Sequence, residues 1–371
     1  MVRPTVIDLF SGCGGMSLGI ENAGYEILYA NDINSDAVNT YKHNFPHVVV
    51  EEGDITKIDP QKVSKMIKRK YVDVIVAGAP CQGFSTSGKR NPNDPRSKLF
   101  RHIIKFLKTF RPKVFVMENV SGLLSISNGS TMKTIVRTFR SNGYHVTFST
   151  LAASDFGIPQ IRNRVFIVGT SKAVPEADIF SVPRNKKQVT VKEAISDLAF
   201  LGHSDSSNRY LLKPKSKYQV MMRKNSSVLY NHESANHSKR IQKRFAMIPP
   251  GMDGRRVLKK SDTDKRDFYR LHPDKISRTV TTLPEDLIHY KNDRIPTVRE
   301  MARIQSFPDN FVFLGPRTTG GLRRKNSCPQ YTQIGNAVPP MMAEYLFRNI
   351  FRILPSLKYL NSSKLMISNP S

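Results

Sequence analysis

The chain has 371 residues and a formal charge of +28, from 58 Lys and Arg against 30 Asp and Glu. This excess of cations favours a polyanionic partner, above all a nucleic acid bound through salt-dependent contacts. The three cysteines, Cys13, Cys81 and Cys328, are odd in number and far apart, which argues against a disulfide framework and a CxxC metal site and fits a reducing cytoplasm. No apolar run approaches membrane-spanning length, so no membrane association is expected.

Predicted strands and helices alternate through the first half of the chain. Apolar runs predict strands over residues 4–10, 26–30, 48–51, 72–76, 113–117, 145–150 and 165–169. Helical periodicity predicts helices over residues 16–23, 35–44, 97–110 and 132–142. This alternation predicts an α/β fold with a doubly wound, mostly parallel sheet.

The alternation stops after about Ser171, where Lys, Arg, Ser, Asn and Pro become frequent. We therefore expect one domain from residues 1–175 and 330–371, which ends in a helix over 337–353, and a smaller, irregular, basic domain over 176–329. The polar segment Asn231-His232-Glu233 and His237 lie in this second region. Their spacing matches no standard ligand set, so we expect solvated or nucleic-acid-facing side chains rather than a metal site.

A glycine turn, Ser11-Gly12-Cys13-Gly14-Gly15, follows the first predicted strand. Glycines let the backbone approach a ligand closely, and the N-terminus of the next helix attracts a carboxylate or phosphate. The dinucleotide pattern Gly-x-Gly-x-x-Gly or Ala fails, because its last position is Ser17. A nucleotide-like cofactor with a carboxylate still fits, with Asp32 placed to accept from ribose hydroxyls. A purely structural turn is the alternative.

The fourth predicted strand ends in a tight turn at Gly78-Ala79-Pro80-Cys81-Gln82. Such a turn would deliver the Cys81 thiol to the carboxyl edge of a parallel sheet, where open α/β folds place their chemistry. On local grounds alone, a packed structural cysteine is the alternative.

Six segments, taken together and in order, resemble the DNA (cytosine-5) methyltransferases. They are Asp8-Leu9-Phe10-Ser11-Gly12, Gly53-Asp54-Ile55-Thr56, Gly78-Ala79-Pro80-Cys81-Gln82-Gly83-Phe84-Ser85, Met117-Glu118-Asn119-Val120, Gln160-Ile161-Arg162-Asn163-Arg164 and Gln333-Ile334-Gly335-Asn336-Ala337-Val338-Pro339-Pro340. Residues 297–308 resemble a late structural motif of the same family. The resemblance covers residues 5–170 and 297–345.

The resemblance implies a specific chemistry on a flipped cytosine. It assigns Cys81 as the nucleophile that adds to carbon 6, which activates carbon 5 for methylation. It assigns Glu118 to ring nitrogen N3 and the exocyclic amine. Arg164, supported by Arg162, would hold the O2 side of the ring and stabilise the charge that develops there.

The resemblance also implies S-adenosyl-L-methionine as the cofactor. It places Phe10 against the adenine, the backbone from Gly12 to Gly14 near the methionine carboxylate, and Asp32 on the ribose. Asp54 and Ile55 would lie at the adenine edge, and Asn336 and Val338 would complete the pocket. Ile33 stands where many members carry a large aromatic, and the chain has no Trp, so aliphatic packing against the adenine is expected.

The implied architecture is a Rossmann-like S-adenosylmethionine-dependent methyltransferase fold with a smaller target-recognition domain over 176–329, which includes the motif at 297–308. A loop over 83–96 would close over the DNA. The expected partner is double-stranded DNA, bound by a monomer in the cytoplasm, with a cognate restriction endonuclease acting separately.

Two alternatives have specific discriminators. A tRNA cytosine-5 methyltransferase of the same family would typically carry Pro-Pro-Cys and Cys-Phe-Thr, whereas this chain has Ala79-Pro80-Cys81 and no such tripeptide. A non-catalytic, basic nucleic-acid-binding protein would have no need of Cys81, Glu118 and Arg164 together. We therefore predict a DNA (cytosine-5) methyltransferase, most simply the protective half of a restriction-modification pair.

Overall fold

The computed structural model describes residues 3–79, 99–172, 174–175, 178–182, 187–259, 268–318 and 327–354. Its main strands are Thr5–Leu9 (β1), Glu26–Asp32 (β2), Val49–Glu52 (β3), Val74–Ala77 (β4), Val114–Val120 (β5), Tyr144–Ala152 (β6) and Asn163–Ser171 (β7). They form one sheet in the order β3-β2-β1-β4-β5-β7-β6. Strands β1 to β5 pair in parallel, whereas β7 is antiparallel to both β5 and β6. The predicted α/β, mostly parallel sheet is confirmed.

Helices cover both faces of this sheet. They are Gly15–Asn22 (α1), Ser35–Asn44 (α2), Pro60–Met66 (α3), Phe100–Phe110 (α4) and Ser130–Arg140 (α5). Side chains alternate along β4, so that Val74 and Val76 join a core with α1 and α2 while Ile75 joins the opposite core with α4. The sequence did not reveal α3, because only Pro60 and Val63 of its seven residues are buried.

The region after β7 is built from short elements. These are the helices Val191–Ile195 (α6), Lys217–Arg223 (α7), Lys239–Ala246 (α8), Gly254–Val257 (α9) and Val298–Ile304 (α10), and the strands Tyr269–Arg270 (β8) and Leu287–Ile288 (β9). Buried Val191, Phe245 and Ile295 belong to the same hydrophobic cluster as Val6 of β1. Because this core is continuous across the expected boundary, the division at residues 175 and 330 stays a prediction.

The last described helices are Gln330–Asn336 (α11) and Pro340–Ile353 (α12). The helix predicted over 337–353 therefore begins later than expected: Ala337 is extended and Pro340 lies in the first turn of α12. Proline suits that position, because the first turn needs no amide donor. Over the ranges that the structure describes, no helix is long and apolar enough to cross a membrane.

The expectation of solvated or nucleic-acid-facing side chains near residue 232 is wrong for His232. Its side chain is 3% exposed, and its Nδ1 lies 3.0 Å from Thr297 Oγ1. Burial lowers the pKa of His232 to about 4. The neighbouring Asn231 donates from Nδ2 to the Phe313 carbonyl at 2.9 Å. Both side chains therefore stabilise the packing of the second region, a role that a polar local sequence does not reveal.

Candidate active site

The glycine turn after β1 forms one wall of the site. Phe10 has a φ of 56°, which is strained for an aromatic residue and persists only where the surroundings hold it. Gly14 has a φ of 94°, and a Cβ there would lie 2.5 Å from Phe45 Cε2, so only glycine fits. Within the described residues, no side chain caps the N-terminus of α1. Its first amides can therefore receive a carboxylate.

Asp32, at the end of β2, is bound to this turn. Its Oδ2 accepts from the Gly12 amide and its Oδ1 from the Asn34 amide, both at 2.9 Å. Burial raises the pKa of Asp32, and the amides partly oppose that rise. Each carboxylate oxygen keeps a lone pair, so Asp32 can also accept from a ribose hydroxyl. The next side chain, Ile33, is 69% exposed, an apolar surface that an adenine could cover.

The end of β3 continues the same edge. The Gly53 amide donates to the Asp32 carbonyl at 2.9 Å. Asn31 Nδ2 donates to the Gly53 carbonyl at 2.9 Å and so joins the ends of β2 and β3. Asp54 Oδ1 accepts from the Thr56 amide at 2.9 Å, which lowers the pKa of Asp54, and Ile55 is buried. These bonds bring the predicted cofactor residues at the ends of β1, β2 and β3 into one row.

Residues from the far end of the chain reach this row. A Cβ built on Gly15 would lie 2.6 Å from the Val338 carbonyl oxygen, so the segment after α11 lies directly against the start of α1. The Val338 side chain is buried and Asn336 is exposed. The structure therefore brings Asn336 and Val338 beside the glycine turn, which sequence separation alone does not establish.

A buried ion pair lies between β5 and β7. Arg164 Nε is 2.9 Å from Glu118 Oε1, and their side chains are 13% and 11% exposed. Because β5 and β7 are antiparallel, Val120 pairs with Arg164 and Glu118 is its diagonal neighbour. Burial raises the pKa of Glu118, whereas Arg164 and Arg162 lower it. A carboxyl group under these opposed influences can accept or deliver a proton.

Arg162 is 1% exposed and points away from open space. Its guanidinium donates to the carbonyls of Val280 at 2.9 Å, Gly335 at 2.7 Å and Ala337 at 3.0 Å. These contacts occupy the guanidinium with main-chain acceptors, and the supporting role predicted for Arg162 stays a prediction.

Cys81 lies outside the described residues, but the chain that leads to it is held at the site. β4 ends at Ala77, and the Gly78 amide donates to the Leu9 carbonyl at 3.1 Å. Asn119 Nδ2 donates to the Ala79 carbonyl at 3.2 Å. The main chain two residues before Cys81 is therefore bonded to the neighbour of Glu118.

The chain thus has a Rossmann-like α/β fold whose glycine turn and strand ends lie at one edge of the sheet, together with the Glu118–Arg164 pair. The chain belongs to the C-5 cytosine-specific DNA methylases, whose family model matches residues 4–352. The prediction of a DNA methylase is thereby confirmed over the tRNA alternative and over a non-catalytic binding protein.

Similar proteins extend over nearly the whole chain. The type II methyltransferase M.DdeI of Desulfomicrobium norvegicum is 39% identical, over 98% of this chain and 92% of that protein. M1.HphI of Haemophilus parahaemolyticus, also a type II methyltransferase, is 35% identical, over 94% of this chain and 87% of that protein. A crystal structure described as a DNA modification methyltransferase from an E. coli prophage has 27% identity and a TM-score of 0.78, covering 95% of this chain and 100% of that one.

The predicted function is confirmed at this level. The chain is a DNA (cytosine-5)-methyltransferase that is similar over nearly its whole length to type II methyltransferases, and its methyl donor is S-adenosyl-L-methionine.

Some residues of the site were not singled out by the sequence. Asn31 and Asn119 join neighbouring strand ends through side-chain amides, and Gln305 bonds the segment before Val338. Asn119 directly follows Glu118 in the motif, so a polar residue at a strand end was an available signal. Gln305 lies within the motif at 297–308, but its partners are 29 to 145 residues away, so the sequence did not reveal which groups it bonds.

Proposed function

We propose that this chain methylates carbon 5 of a flipped cytosine in a specific duplex DNA sequence through a covalent Cys81 adduct at carbon 6. One arrangement carries the proposal: the Asn119–Ala79 hydrogen bond holds the chain leading to Cys81 beside the Glu118–Arg164 pair. In this proposal, residues 176–329 contain the target-recognition domain.

Cys81 would act as the nucleophile. Its thiolate would add to carbon 6 of the ring, which would make carbon 5 nucleophilic toward the electrophilic methyl group that the cofactor supplies. Formation of the carbon 5–methyl bond would break the sulfonium–methyl bond and release S-adenosylhomocysteine. The carbon 5 proton then leaves to a base, the sulfur–carbon 6 bond breaks, and the Cys81 thiolate is restored.

Glu118 and Arg164 would stabilise the ring as charge develops. The buried Glu118 carboxyl would hydrogen-bond N3 and the exocyclic amine, and burial, which raises its pKa, would assist delivery of a proton to N3. Arg164 would face O2, held in place by its 2.9 Å contact with Glu118. Arg162 would support Arg164 from behind through main-chain carbonyls.

The cofactor edge described above fits S-adenosyl-L-methionine. When bound, that molecule supplies an electrophilic methyl group on a sulfonium. Phe10 and exposed Ile33 would flank the adenine, Asp32 would accept from the ribose, and the amides around Gly12 and Gly14 would hold the carboxylate. Asp54, Ile55, Asn336 and Val338 would close the remaining sides of the pocket.

We further propose that the protein acts on DNA as a monomer in the cytoplasm and protects sites that a separate cognate endonuclease cleaves. The type II relatives support the pairing with a nuclease. Bisulfite sequencing of DNA from a methylation-free host that expresses the chain would identify the protected sequence. Digestion of that DNA with nucleases of matching specificity would test protection.

Substitution of the thiol tests the mechanism. Cys81→Ser should abolish methyl transfer and leave DNA binding measurable. Duplex DNA with 5-fluorocytosine at the target should trap a covalent adduct with the wild type, only when cofactor is present, because fluorine cannot leave as a proton does.

Cys328→Ser is the matched control, since Cys328 is bonded through its main-chain amide to Asp36 Oδ2. This variant should retain turnover and adduct formation. Turnover by Cys81→Ser, or no adduct with active wild type, would remove the nucleophile assignment.

A further inference from the structure

Three buried polar side chains meet behind the active site, and we call them the junction: Gln160, Arg162 and Gln305. They are 0%, 1% and 0% exposed. Gln160 and Arg162 directly precede β7, whereas Gln305 follows α10. Gln160 Nε2 donates to Gln305 Oε1 and, at 3.1 Å, to the Ile304 carbonyl. Two segments separated by 145 positions are thus joined by side-chain amides.

The junction binds the main chain on both sides of Asn336. Gln305 Nε2 donates to the carbonyls of Ile334 at 3.2 Å and Ala337 at 2.6 Å. Arg162 donates to the Gly335 and Ala337 carbonyls. The last carbonyls of a helix have no partner within it, so α11 depends on these donors at its C-terminus. Asn336 and Val338, the proposed cofactor residues, follow directly from this bonded segment.

The same junction reaches the catalytic strand and the second region. Arg162 directly precedes β7 and Arg164 is the second residue of that strand, and both arginines lower the pKa of Glu118. The Val280 amide donates to Gln160 Oε1 at 3.2 Å, and the Val280 carbonyl accepts from Arg162 at 2.9 Å. The junction is therefore bonded to the cofactor edge, to the strand of Arg164 and to the region proposed for target recognition.

We propose that Gln305 is a positioning residue for methyl transfer. It holds residues 334–337 against Gln160 and Arg162, and so keeps Asn336 and Val338 in register with Arg164. Both amide hydrogens of Gln305 are used on main-chain carbonyls and its oxygen accepts from Gln160, so no simpler side chain replaces all three bonds. This inference rests on the roles proposed above for Arg164, Asn336 and Val338.

The test replaces Gln305 by Met, which keeps length and volume but removes the donors and the acceptor. Calorimetric titration with S-adenosylhomocysteine, without DNA, should show about tenfold weaker binding, the effect expected when one or two hydrogen bonds are lost. The kcat should fall by a similar factor, whereas the Kd for duplex DNA should stay within about twofold.

Gln219→Met is the matched control. Gln219 is also 0% exposed, and its amide donates to the Lys192 carbonyl at 3.2 Å and Ser196 Oγ at 2.9 Å, away from the cofactor edge. It should lower the melting temperature about as much as Gln305→Met and leave S-adenosylhomocysteine binding unchanged. Equal effects of the two variants on ligand binding and kcat would overturn the inference.

Gln305→Glu keeps an acceptor for Gln160 and removes the donors to Ile334 and Ala337. It should also weaken S-adenosylhomocysteine binding, which provides a second test if Gln305→Met does not fold. Unchanged binding by Gln305→Glu would overturn the inference, as would a large loss of DNA affinity with ligand binding intact. Failure of the wild type to form the 5-fluorocytosine adduct would instead contradict the proposed function.

Discussion

Glu118 combines burial with two neighbouring guanidinium groups. Its side chain is 11% exposed and 2.9 Å from Arg164 Nε. Burial raises the pKa of Glu118 and the two arginines lower it, so the balance depends on what fills the space beside it. A cytosine ring that displaces water would favour the protonated carboxyl, which is the form that can donate to N3.

Glu118→Gln should therefore lower kcat by about 100-fold or more, because the amide cannot deliver a proton. The Kd for duplex DNA should change by less than about threefold, since Glu118 lies inside the site. Single-turnover kinetics and a DNA-binding titration would separate the two effects.

Glu344→Gln provides the control, because Glu344 pairs with Arg348 at 2.7 Å on the surface of α12. It should leave both quantities unchanged. Equal losses of rate and affinity in Glu118→Gln would make Glu118 a structural residue.

At the scale of elements, α1 and α12 cross at a glycine. A Cβ on Gly19 would lie 2.3 Å from the Pro340 carbonyl oxygen and 2.6 Å from Ala343 Cβ. This close approach positions the start of α12 and the segment before it, which contains Val338. The packing of the two helices thus connects a helix interior to the edge proposed for the cofactor.

Gly19→Ala should destabilise the protein by about 1–3 kcal/mol, because the added methyl group must push α12 away. At an exposed, uncrowded helix position the same change would stabilise the protein by about 1 kcal/mol. The sign of the change in unfolding free energy therefore distinguishes a crowded position from an open one. Urea unfolding would measure it. Asn22→Ala, on the same helix, should be neutral or slightly stabilising, and a stabilising Gly19→Ala would contradict the crossing.

A buried polar cluster surrounds the N-terminus of α10. Thr297 caps this helix, and Arg294 pairs with Glu300 through two contacts of 2.8 and 2.9 Å. His289 is fully buried beside them, and its Nδ1 accepts from the amides of Lys291 and Asn292 at 3.1 Å. Burial lowers the pKa of His289 to about 3, with Glu300 opposing and Arg294 and Arg270 assisting. The neutral ring is therefore the form that fits.

This cluster should make the protein sensitive to acid. The folded state binds fewer protons than the unfolded state between the ordinary histidine pKa of about 6.5 and the folded value, so stability falls as the pH falls through that range. The titration of His289 alone should lower the free energy of unfolding by at most about 1.4 kcal/mol per pH unit.

His289→Asn keeps an acceptor for the two amides and cannot titrate. Between pH 7.5 and pH 5.0, the free energy of unfolding measured with urea should fall less for this variant than for the wild type. The variant should be less stable than the wild type at both pH values. Equal losses would show that His289 titrates normally.

At the scale of the whole molecule, the charge of +28 is the dominant property. Helix α8 contributes four cations over eight residues, Lys239, Arg240, Lys243 and Arg244, while Phe245 holds it to the core. Duplex DNA is the polyanion that this excess suits, and each phosphate contact should release about 0.9 counterion.

Replacement of these four cations of α8 by Gln should reduce the slope of log Kd against log salt by up to about 3.6. Fluorescence anisotropy on duplex DNA at several salt concentrations would measure it. Replacement of Lys62, Lys65, Lys68 and Lys70 removes the same charge from exposed positions between β3 and β4, outside the region proposed for target recognition, and should change the slope much less. Equal slopes for both variants would show only a general charge effect.

The strands of the main sheet could be predicted from the sequence, and candidate site residues could be proposed from it, because both depend on short-range patterns. Apolar runs predicted every strand of the main sheet, and the motifs around Cys81, Glu118 and Arg164 are each confined to a few residues. The predicted roles of these residues remain predictions that the proposed experiments test. The short helix α3 was not predicted, because few of its residues are buried.

The sequence by itself determined the α/β class, the glycine turn and the motif order, since backbone periodicity and glycine geometry are local properties. Only the tertiary structure decided that Val338 lies against Gly15, that His232 is buried, and that Gln305 meets Gln160 and Arg162. These contacts join residues far apart in the chain, and each satisfies a buried polar group or fills a space that exists only after the elements have packed.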